Sequence, residues 1–203
     1  MNTPLLIINP AAPEPERIVQ AAEVLLAGQF VILPTDTVYG VGLLASDTAS
    51  PDRLFEGKRR QRDKGIPLLV ASADELARLG RDVPEHARKL ASRHWPGALT
   101  LVVRASDEVP GEFVAADGSI ALRMPANDIA RALLKAVGMP VACSSANLSG
   151  LAPACSVQQL DPLLRAAAAL VIDGGSLSGG VASTVVSCLE DEPRVLRPGP
   201  VAI

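Results

Sequence analysis

Apolar residues recur at helical spacing from Glu16 to Ala27, and Gly28 stands where the pattern stops. Pro15 just ahead suits a first helical turn, where its missing N–H would have had no partner anyway. Phe30 to Leu33 then switches to a short, unbroken apolar run, the mark of a buried strand. Ser50-Pro51 opens a second helix that runs into a basic cluster. Pro67 to Val70 reads as a strand, Ser72 to Glu75 as the cap of a short helix, and Pro84 to Arg93 as a longer one closed by Trp95-Pro96-Gly97. Trp95 is expected in the core, closing that helix against the sheet.

The second half continues the rhythm. Strands are predicted at Ala98 to Val103, Ile120 to Arg123 and Val141 to Ser144, with a helix at Asp128 to Val137 stopped by Gly138. Val157 to Ala169 is predicted helical, with Pro162 as a break, before strands at Leu170 to Asp173, Ser183 to Cys188 and Val195 to Arg197. Strands alternate with helices early and crowd together late. That pattern predicts an α/β domain with a mixed sheet, not a purely parallel one. With no repeat, linker or break in composition, residues 1–203 read as a single domain.

Composition narrows the functional classes. Nearly half of the 203 residues are apolar, enough to bury a core without disulfides or metal. Cys143, Cys155 and Cys188 are odd in number and lack a CxxC spacing, and His86 and His94 make no metal pair, so no metal site is expected. The Cys usage, with no apolar run of membrane-spanning length and no signal-peptide pattern, predicts a cytoplasmic protein with no membrane contact. The formal net charge of −3 argues against bulk nucleic-acid binding. Locally the balance reverses: Arg53, Lys58, Arg59, Arg60, Arg62 and Lys64 fall within twelve positions.

Candidate chemistry gathers at strand ends. Thr35-Asp36-Thr37-Val38-Tyr39 follows the buried run at Leu33 with two hydroxyls, a carboxylate and a phenol. The carboxyl end of a strand is where α/β sheets bind ligands. The basic cluster is either a solvated helix end, where cations suit the macrodipole, or a holder of phosphates or a tRNA backbone. Cys143-Ser144-Ser145-Ala146-Asn147 makes a small hydroxyl-rich turn suited to phosphate, or a plain Ser/Asn turn. It has neither P-loop spacing nor a GxSxG elbow. Arg123 and Arg197 each close an apolar strand, which suggests a shared anion-facing rim. Ser183-Thr184 follows a glycine-rich approach from Gly174 to Gly180 that reads equally well as a loose surface loop. Cys143 has no neighbouring histidine and reads as a small apolar residue lining a pocket.

In order along the chain, Pro34-Thr35-Asp36-Thr37-Val38-Tyr39-Gly40, Lys58-x-Arg60 with Asp63-Lys64, Trp95-Pro96-Gly97, Arg123-Met124-Pro125, Ser145-Ala146-Asn147, Ser183-Thr184 and Arg197-Pro198-Gly199 resemble the YrdC family, the L-threonylcarbamoyl-AMP synthases. The motifs run from about residue 15 to 200. Each is weak alone; the ordered set is specific. The resemblance implies a twisted, mixed, open α/β sheet with helices around a large, concave, positively charged cavity. It implies a nucleotidyltransferase converting L-threonine, bicarbonate and ATP, with Mg²⁺, into threonylcarbamoyl-AMP and pyrophosphate. Partner proteins would then move the threonylcarbamoyl group to tRNA, with direct contact to tRNA or double-stranded RNA a further expectation.

Carried across by position, Lys58 and Arg60 are the catalytic candidates. Thr35, Arg123, Cys143 and Ser183 are the threonine contacts, and Tyr39-Gly40 shapes the cavity wall. Lys58, Arg62, Ser119, Ser145, Asn147 and Arg197 are the ATP contacts. Members often carry Glu at the position of Asp36, and some carry a His where this chain reads Val70-Ala71-Ser72. The chain stops soon after Arg197-Pro198-Gly199, so the form expected is the one without the C-terminal domain of longer relatives. Two other readings stand beside the enzyme: a tRNA- or rRNA-binding module using the same cavity without adenylate synthesis, and a carbamoyl-transfer domain acting on carbamoyl adenylate.

Overall fold

Val31, Ile32 and Leu33 are all fully buried. Consecutive side chains of a strand point to opposite faces, so a strand buried at every position must be covered on both sides. In the computed structural model, which describes residues 3–50, 65–148 and 150–203, this strand, β2 (Val31–Leu33), sits inside a mixed sheet. The other strands are β1 (Leu5–Ile7), β3 (Gly40–Leu44), β4 (Leu68–Leu69), β5 (Leu99–Arg104), β6 (Ser119–Arg123), β7 (Val141–Ser145), β8 (Leu170–Asp173), β9 (Thr184–Ser187) and β10 (Arg194–Arg197). Their spatial order is β1-β8-β2-β3-β7-β4-β6-β5-β9-β10. Parallel pairs (β1/β8, β8/β2, β4/β6, β5/β9) are mixed with antiparallel ones, as the late crowding of strands predicted.

The helices are α1 (Pro15–Leu26), α2 (Glu75–Leu79), α3 (Glu85–His94), α4 (Asp128–Val137) and α5 (Pro162–Ala167). The ends of α4 fall where its sequence placed them. Asn127 Oδ1 accepts from Ala130 N at 3.0 Å, and Gly138 takes the left-handed conformation at φ 70°. The helix expected over 157–169 is replaced by a 3₁₀ turn, Val157–Gln159, followed by α5. Pro162 starts that helix instead of breaking it, and Asp161 caps it by accepting from Leu163 N. Two strands went unpredicted. β1 is a three-residue edge, and β3 carries glycines at positions 40 and 42.

The glycines of β3 answer to its neighbours. A Cβ at Gly40 would lie 2.4 Å from Cys143 Sγ, and one at Gly42 would lie 2.9 Å from Val141 Cγ1. β7 packs too closely for any side chain there.

α1 and α4 cover one face of the sheet at the β1-β8-β2-β3 half, burying Leu25, Val31, Leu33, Ile129 and Leu133 together. The opposite face buries Ile32, Leu68, Leu99, Leu101, Leu122 and Val186 against α2, α3 and Trp95. Trp95 is buried at the end of α3, with Nε1 donating to Leu99 O at 2.8 Å, as expected of a core residue closing that helix. Past β3, the face that α1 and α4 cover continues with no α-helical residue of the described ones lining it. That half-face carries a cavity.

Candidate active site

The cavity has a volume of about 800 Å³, and its floor is built from alternate positions of β5, β6, β9 and β10. Strand register lays these side chains out in rows. Thr100 pairs with Val185 and Val185 with Arg197, while Arg123 lies opposite Thr100, one step beyond the Leu101–Leu122 pair. The next row is Ala121, Val102, Ser187 and Arg194. An arginine therefore stands at each end of the first row, three strand spacings or roughly 14 Å apart.

Arg123 is buried, and every nitrogen of its guanidinium is held from a different side. Nε donates to Gly97 O at 3.0 Å, Nη1 to Thr37 Oγ1 at 3.0 Å and Nη2 to Asp36 Oδ1 at 2.6 Å. Asp36 Oδ1 also accepts from Ala126 N at 3.1 Å. Burial pulls the guanidinium down from its ordinary value, and the charge of Asp36 opposes that shift. Asp36, a carboxylate beside a cavity expected to hold anions, thus has its cation. Trp95-Pro96-Gly97 contributes the Gly97 carbonyl, and Gly97 N donates to Met124 O at 2.8 Å. Three bonds use three of the five N–H donors that an arginine carries, leaving one on each terminal nitrogen.

Thr35 and Thr37 extend this arrangement. Thr35 Oγ1 donates to Val38 O at 2.6 Å, so its only proton is spent. The 3.0 Å contact between Thr35 Oγ1 and Thr37 Oγ1 must then have Thr37 as donor. Hydrogen bonds run one way, from Arg123 through Thr37 to Thr35 to the Val38 carbonyl. Thr35 Oγ1 also accepts from the Thr37 and Val38 amides, each at 3.2 Å. Thr35 lines the cavity, but its hydroxyl serves the turn and, through Thr37, the posture of Arg123.

Tyr39 lies behind the wall, not in it. It is fully buried; its OH donates to Gly175 O at 2.7 Å and accepts from Gly174 N at 3.2 Å. Gly40 alone of that pair lines the cavity. The glycine-rich approach is correspondingly docked onto the site segment. Gly180 N donates to Thr37 O at 2.9 Å, and a Cβ at Gly179 would lie 2.6 Å from the same carbonyl. Burial pushes the Tyr39 phenol up to about 12 from 10.0. A raised phenol pKa means the neutral form belongs to the fold. Its stabilisation is complete below pH 10 and is lost as pH rises towards 12. Tyr39→Phe is expected to flatten the fall in melting temperature across that window, and thermal melts of both proteins check it.

At the far end of the row, Arg197 grips Ser183. Nε and Nη2 donate to Ser183 O at 3.1 and 2.8 Å, and Nη2 also reaches Ser183 Oγ at 3.2 Å. The tail is fastened by Thr184, whose Oγ1 donates to Val201 O at 2.8 Å and accepts from Val201 N at 3.0 Å. Between these bonds a Cβ at Gly199 would sit 2.4 Å from Thr184 N and 2.6 Å from Ala182 O. Gly199→Ala is therefore expected to cost about 2 kcal/mol, the range of overpacking against atoms that cannot yield. A fall in Tm of roughly 4–8 °C is the corresponding readout.

Of the residues singled out in the sequence, Thr35, Ser119, Arg123, Cys143, Ser145, Ser183 and Arg197 all line this cavity. Ser119 is tied to Asp117, with N and Oγ donating to Oδ1 at 3.0 and 2.6 Å, which holds the Asp117 carboxyl below its ordinary range. Asn147 does not line the cavity; its Nδ2 donates to the carbonyls of Leu148 and Leu151 at 3.1 and 2.6 Å. The β7 strand ends at Ser145, so Asn147 falls in the turn beyond it. Lys58, Arg60 and Arg62, with the helix expected after Ser50-Pro51, lie outside the described residues. The sequence reading placed Thr37 in its candidate segment without giving it a role of its own and missed Thr100; both line the cavity. Their polar side chains at alternate positions beside buried ones were the available signal.

A family model for the Sua5–YciO–YrdC domain, described as telomere recombination, matches residues 23–199. The chain belongs to the Sua5–YciO–YrdC family. Within it, the chain is 40% identical over 185 residues to a putative threonylcarbamoyl-AMP synthase of Mycobacterium tuberculosis, covering 91% of this chain and 85% of that one. It is 39% identical to the threonylcarbamoyl-AMP synthase of Pyrococcus abyssi, covering 88% of this chain and 53% of the relative. Among solved structures of the family, P. abyssi Sua5 complexed with L-threonine superposes with a TM-score of 0.89 at 36% identity, covering 97% of this chain and 58% of that one. Escherichia coli YciO superposes at 0.87 and 28% identity, covering 98% and 96%. The chain thus spans a little over half of the archaeal Sua5 and nearly all of YciO.

Proposed function

We propose that this chain is a threonylcarbamoyl-AMP synthase, forming the adenylate and pyrophosphate from L-threonine, bicarbonate and ATP. The observation that carries the proposal is the match of the whole described fold to a Sua5 structure complexed with L-threonine, joined to a cavity with a rigidly held buried arginine. An amino-acid carboxylate needs such a cation, and Arg123 keeps one N–H on each terminal nitrogen for it. In this reading Thr35 supports Arg123 through Thr37, and Cys143 and Ser183 flank the amino acid.

The nucleotide lies towards Arg197, with Ser119 and Ser145 beside it. Lys58, Arg60 and Arg62 supply the cations for the triphosphate and the developing charge. Asn147 is retained as an ATP contact only through a change in its turn. No cluster of three or more His, Cys, Asp or Glu side chains that could hold a metal is found among the described residues. In this reading Mg²⁺ enters with the phosphates of ATP, as part of the substrate.

The reaction proceeds by positioning and charge neutralisation. The threonine amine attacks the bicarbonate carbon, water leaves, and a carbamate forms. A carbamate oxygen then attacks the α-phosphorus and pyrophosphate departs. Phosphoryl transfer of this kind calls for aligned reactants and cations, not a protein nucleophile. The fixed Arg123 supports this: its orientation is set before substrate arrives, so no reorganisation is charged to the reaction. The product feeds proteins that transfer threonylcarbamoyl to tRNA, and the cytoplasm, where tRNA and ATP are held, is the compartment. No helix among the described residues is long and apolar enough to cross a membrane.

The deciding experiment incubates the protein with ATP, bicarbonate and labelled threonine. Pyrophosphate release that requires both threonine and bicarbonate is expected. No release under those conditions, together with tight, salt-sensitive RNA binding, would favour the RNA-binding module instead.

A further inference from the structure

Ser119, Ala121 and Arg123 alternate along β6 on the cavity side, so Ser119 and Arg123 lie roughly 13 Å apart. The two ends of that line differ in charge. Arg123 stands at one, and Asp117, two residues before Ser119, lines the other. Among the described residues Asp117 is the only carboxylate lining the cavity, which otherwise presents Arg123, Arg194 and Arg197. A carboxylate repels phosphates and bicarbonate, so this end suits another part of the ligand.

Proton accounting says which part. Ser119 Oγ donates to Asp117 Oδ1 at 2.6 Å, and Ser119 N donates to the same oxygen at 3.0 Å. The hydroxyl has spent its proton and keeps only lone pairs. Both bonds fall on Oδ1, so among the described residues Oδ2 keeps its lone pairs as well. Arg104 reaches the Asp117 carbonyl, with Nη1 donating at 2.7 Å, instead of the carboxylate. Asp117 is exposed, so its carboxylate is open to whatever enters. Phe113, Ala115 and Ala121, on either side in sequence, line the same cavity and are apolar.

We infer that Asp117, with Ser119, reads the exocyclic amino group of the nucleotide's base and selects an amino purine over an oxo purine. The inference rests on the ATP-dependent reading above and adds to it a specificity-determining residue. An exocyclic amine carries two N–H donors on the edge of a flat ring, which matches two acceptors flanked by apolar side chains. A carbonyl at the same ring position sets lone pairs against lone pairs and is rejected. The threonine ammonium is no competitor for Asp117, because that substrate is held by its carboxylate at Arg123, at the other end of β6.

Asp117→Asn gives the sharp test, because it keeps the shape and turns one acceptor into a donor. The amide oxygen takes over the two bonds from Ser119, and the amide nitrogen faces the base. Calorimetry with ATP and with inosine triphosphate, which carries a carbonyl in place of the amine, measures the outcome. The unsubstituted protein is expected to bind ATP about ten- to a hundredfold more tightly than inosine triphosphate. In Asp117→Asn that ratio is expected to fall by about tenfold or more, with inosine triphosphate bound more tightly than by the unsubstituted protein. A gain of that kind cannot come from a damaged fold. The ratio between ATP and 2′-deoxy-ATP is expected to be the same in both proteins.

An unchanged ratio of ATP to inosine triphosphate in Asp117→Asn overturns the inference. So does a preference for ATP over 2′-deoxy-ATP that disappears in the variant, which would assign the carboxylate to the ribose. An equal loss for both nucleotides, reversed by added Mg²⁺, overturns it too and assigns Asp117 to the metal. If Asp117→Asn does not fold, Ser119→Ala removes the other acceptor and is expected to lower the same ratio a few-fold; no change there counts equally against the inference. Binding and turnover separate the two levels. A protein that selects ATP in this way but releases no pyrophosphate fails as a synthase and keeps the base-reading pair. One that binds ATP and inosine triphosphate alike while making the adenylate keeps the function and loses the pair.

Discussion

Asp36→Ala is expected to unfold more easily than the unsubstituted protein by about 3–5 kcal/mol, the cost of leaving a buried charge without its partner. The pair is well shielded, with side-chain exposures of 8% for Arg123 and 14% for Asp36. Asp36 Oδ1 also ties Ala126 N to the same point, so the substitution releases two donors at once. Activity is expected to fall through the amino acid: the KM for L-threonine rises by more than tenfold, while that for ATP moves less. Asp36→Asn keeps an acceptor oxygen without the charge and is expected to fall between the two. Denaturant melts and initial rates at varied threonine measure both effects. Unchanged stability with an unchanged KM in Asp36→Ala would show that Gly97 and Thr37 hold Arg123 unaided.

Lys58→Ala and Arg60→Ala are each expected to lower kcat by about 10²–10³, the usual cost of removing one preorganised stabiliser of developing charge. Their circular dichroism and melting temperatures are expected to match the unsubstituted protein, since a cationic cluster of this density repels itself and adds little to folding. The expectation comes from the family motif Lys58-x-Arg60 and the anion-rich reaction. Near-normal turnover in both variants would mean that the cluster is a solvated helix end.

The fold was legible where its signals are local. α4 carries its own start in Asn127 and its own stop in Gly138, so its limits follow from residues within one turn of each end. β2 and β8 read as strands because unbroken apolar runs leave few alternatives. β3 was not legible. Gly40-Val41-Gly42 has the composition of a loop, and its glycines make sense only once Cys143 and Val141 of β7 are packed against it. Pro162 was ambiguous for a related reason: a proline that breaks one helix can equally start another, and the cap from Asp161 decides which.

The site divides in the same way. By itself the sequence determined which residue types stand at strand ends, and in which order. The family resemblance carried by that order was enough to name Thr35, Ser119, Arg123, Cys143, Ser145, Ser183 and Arg197, all of which line one cavity. Only the tertiary structure decided what each one does with its hydrogen bonds. Arg123 meets Asp36 across 87 residues, and Thr100 meets Ser183 across 83. The second distance is closed by the strand order, which sets β5 beside β9, and the first by the segment between β2 and β3, which reaches across to the end of β6. A hydroxyl's chemistry depends on which neighbour takes its one proton. That neighbour is chosen by sheet register, which no local pattern records.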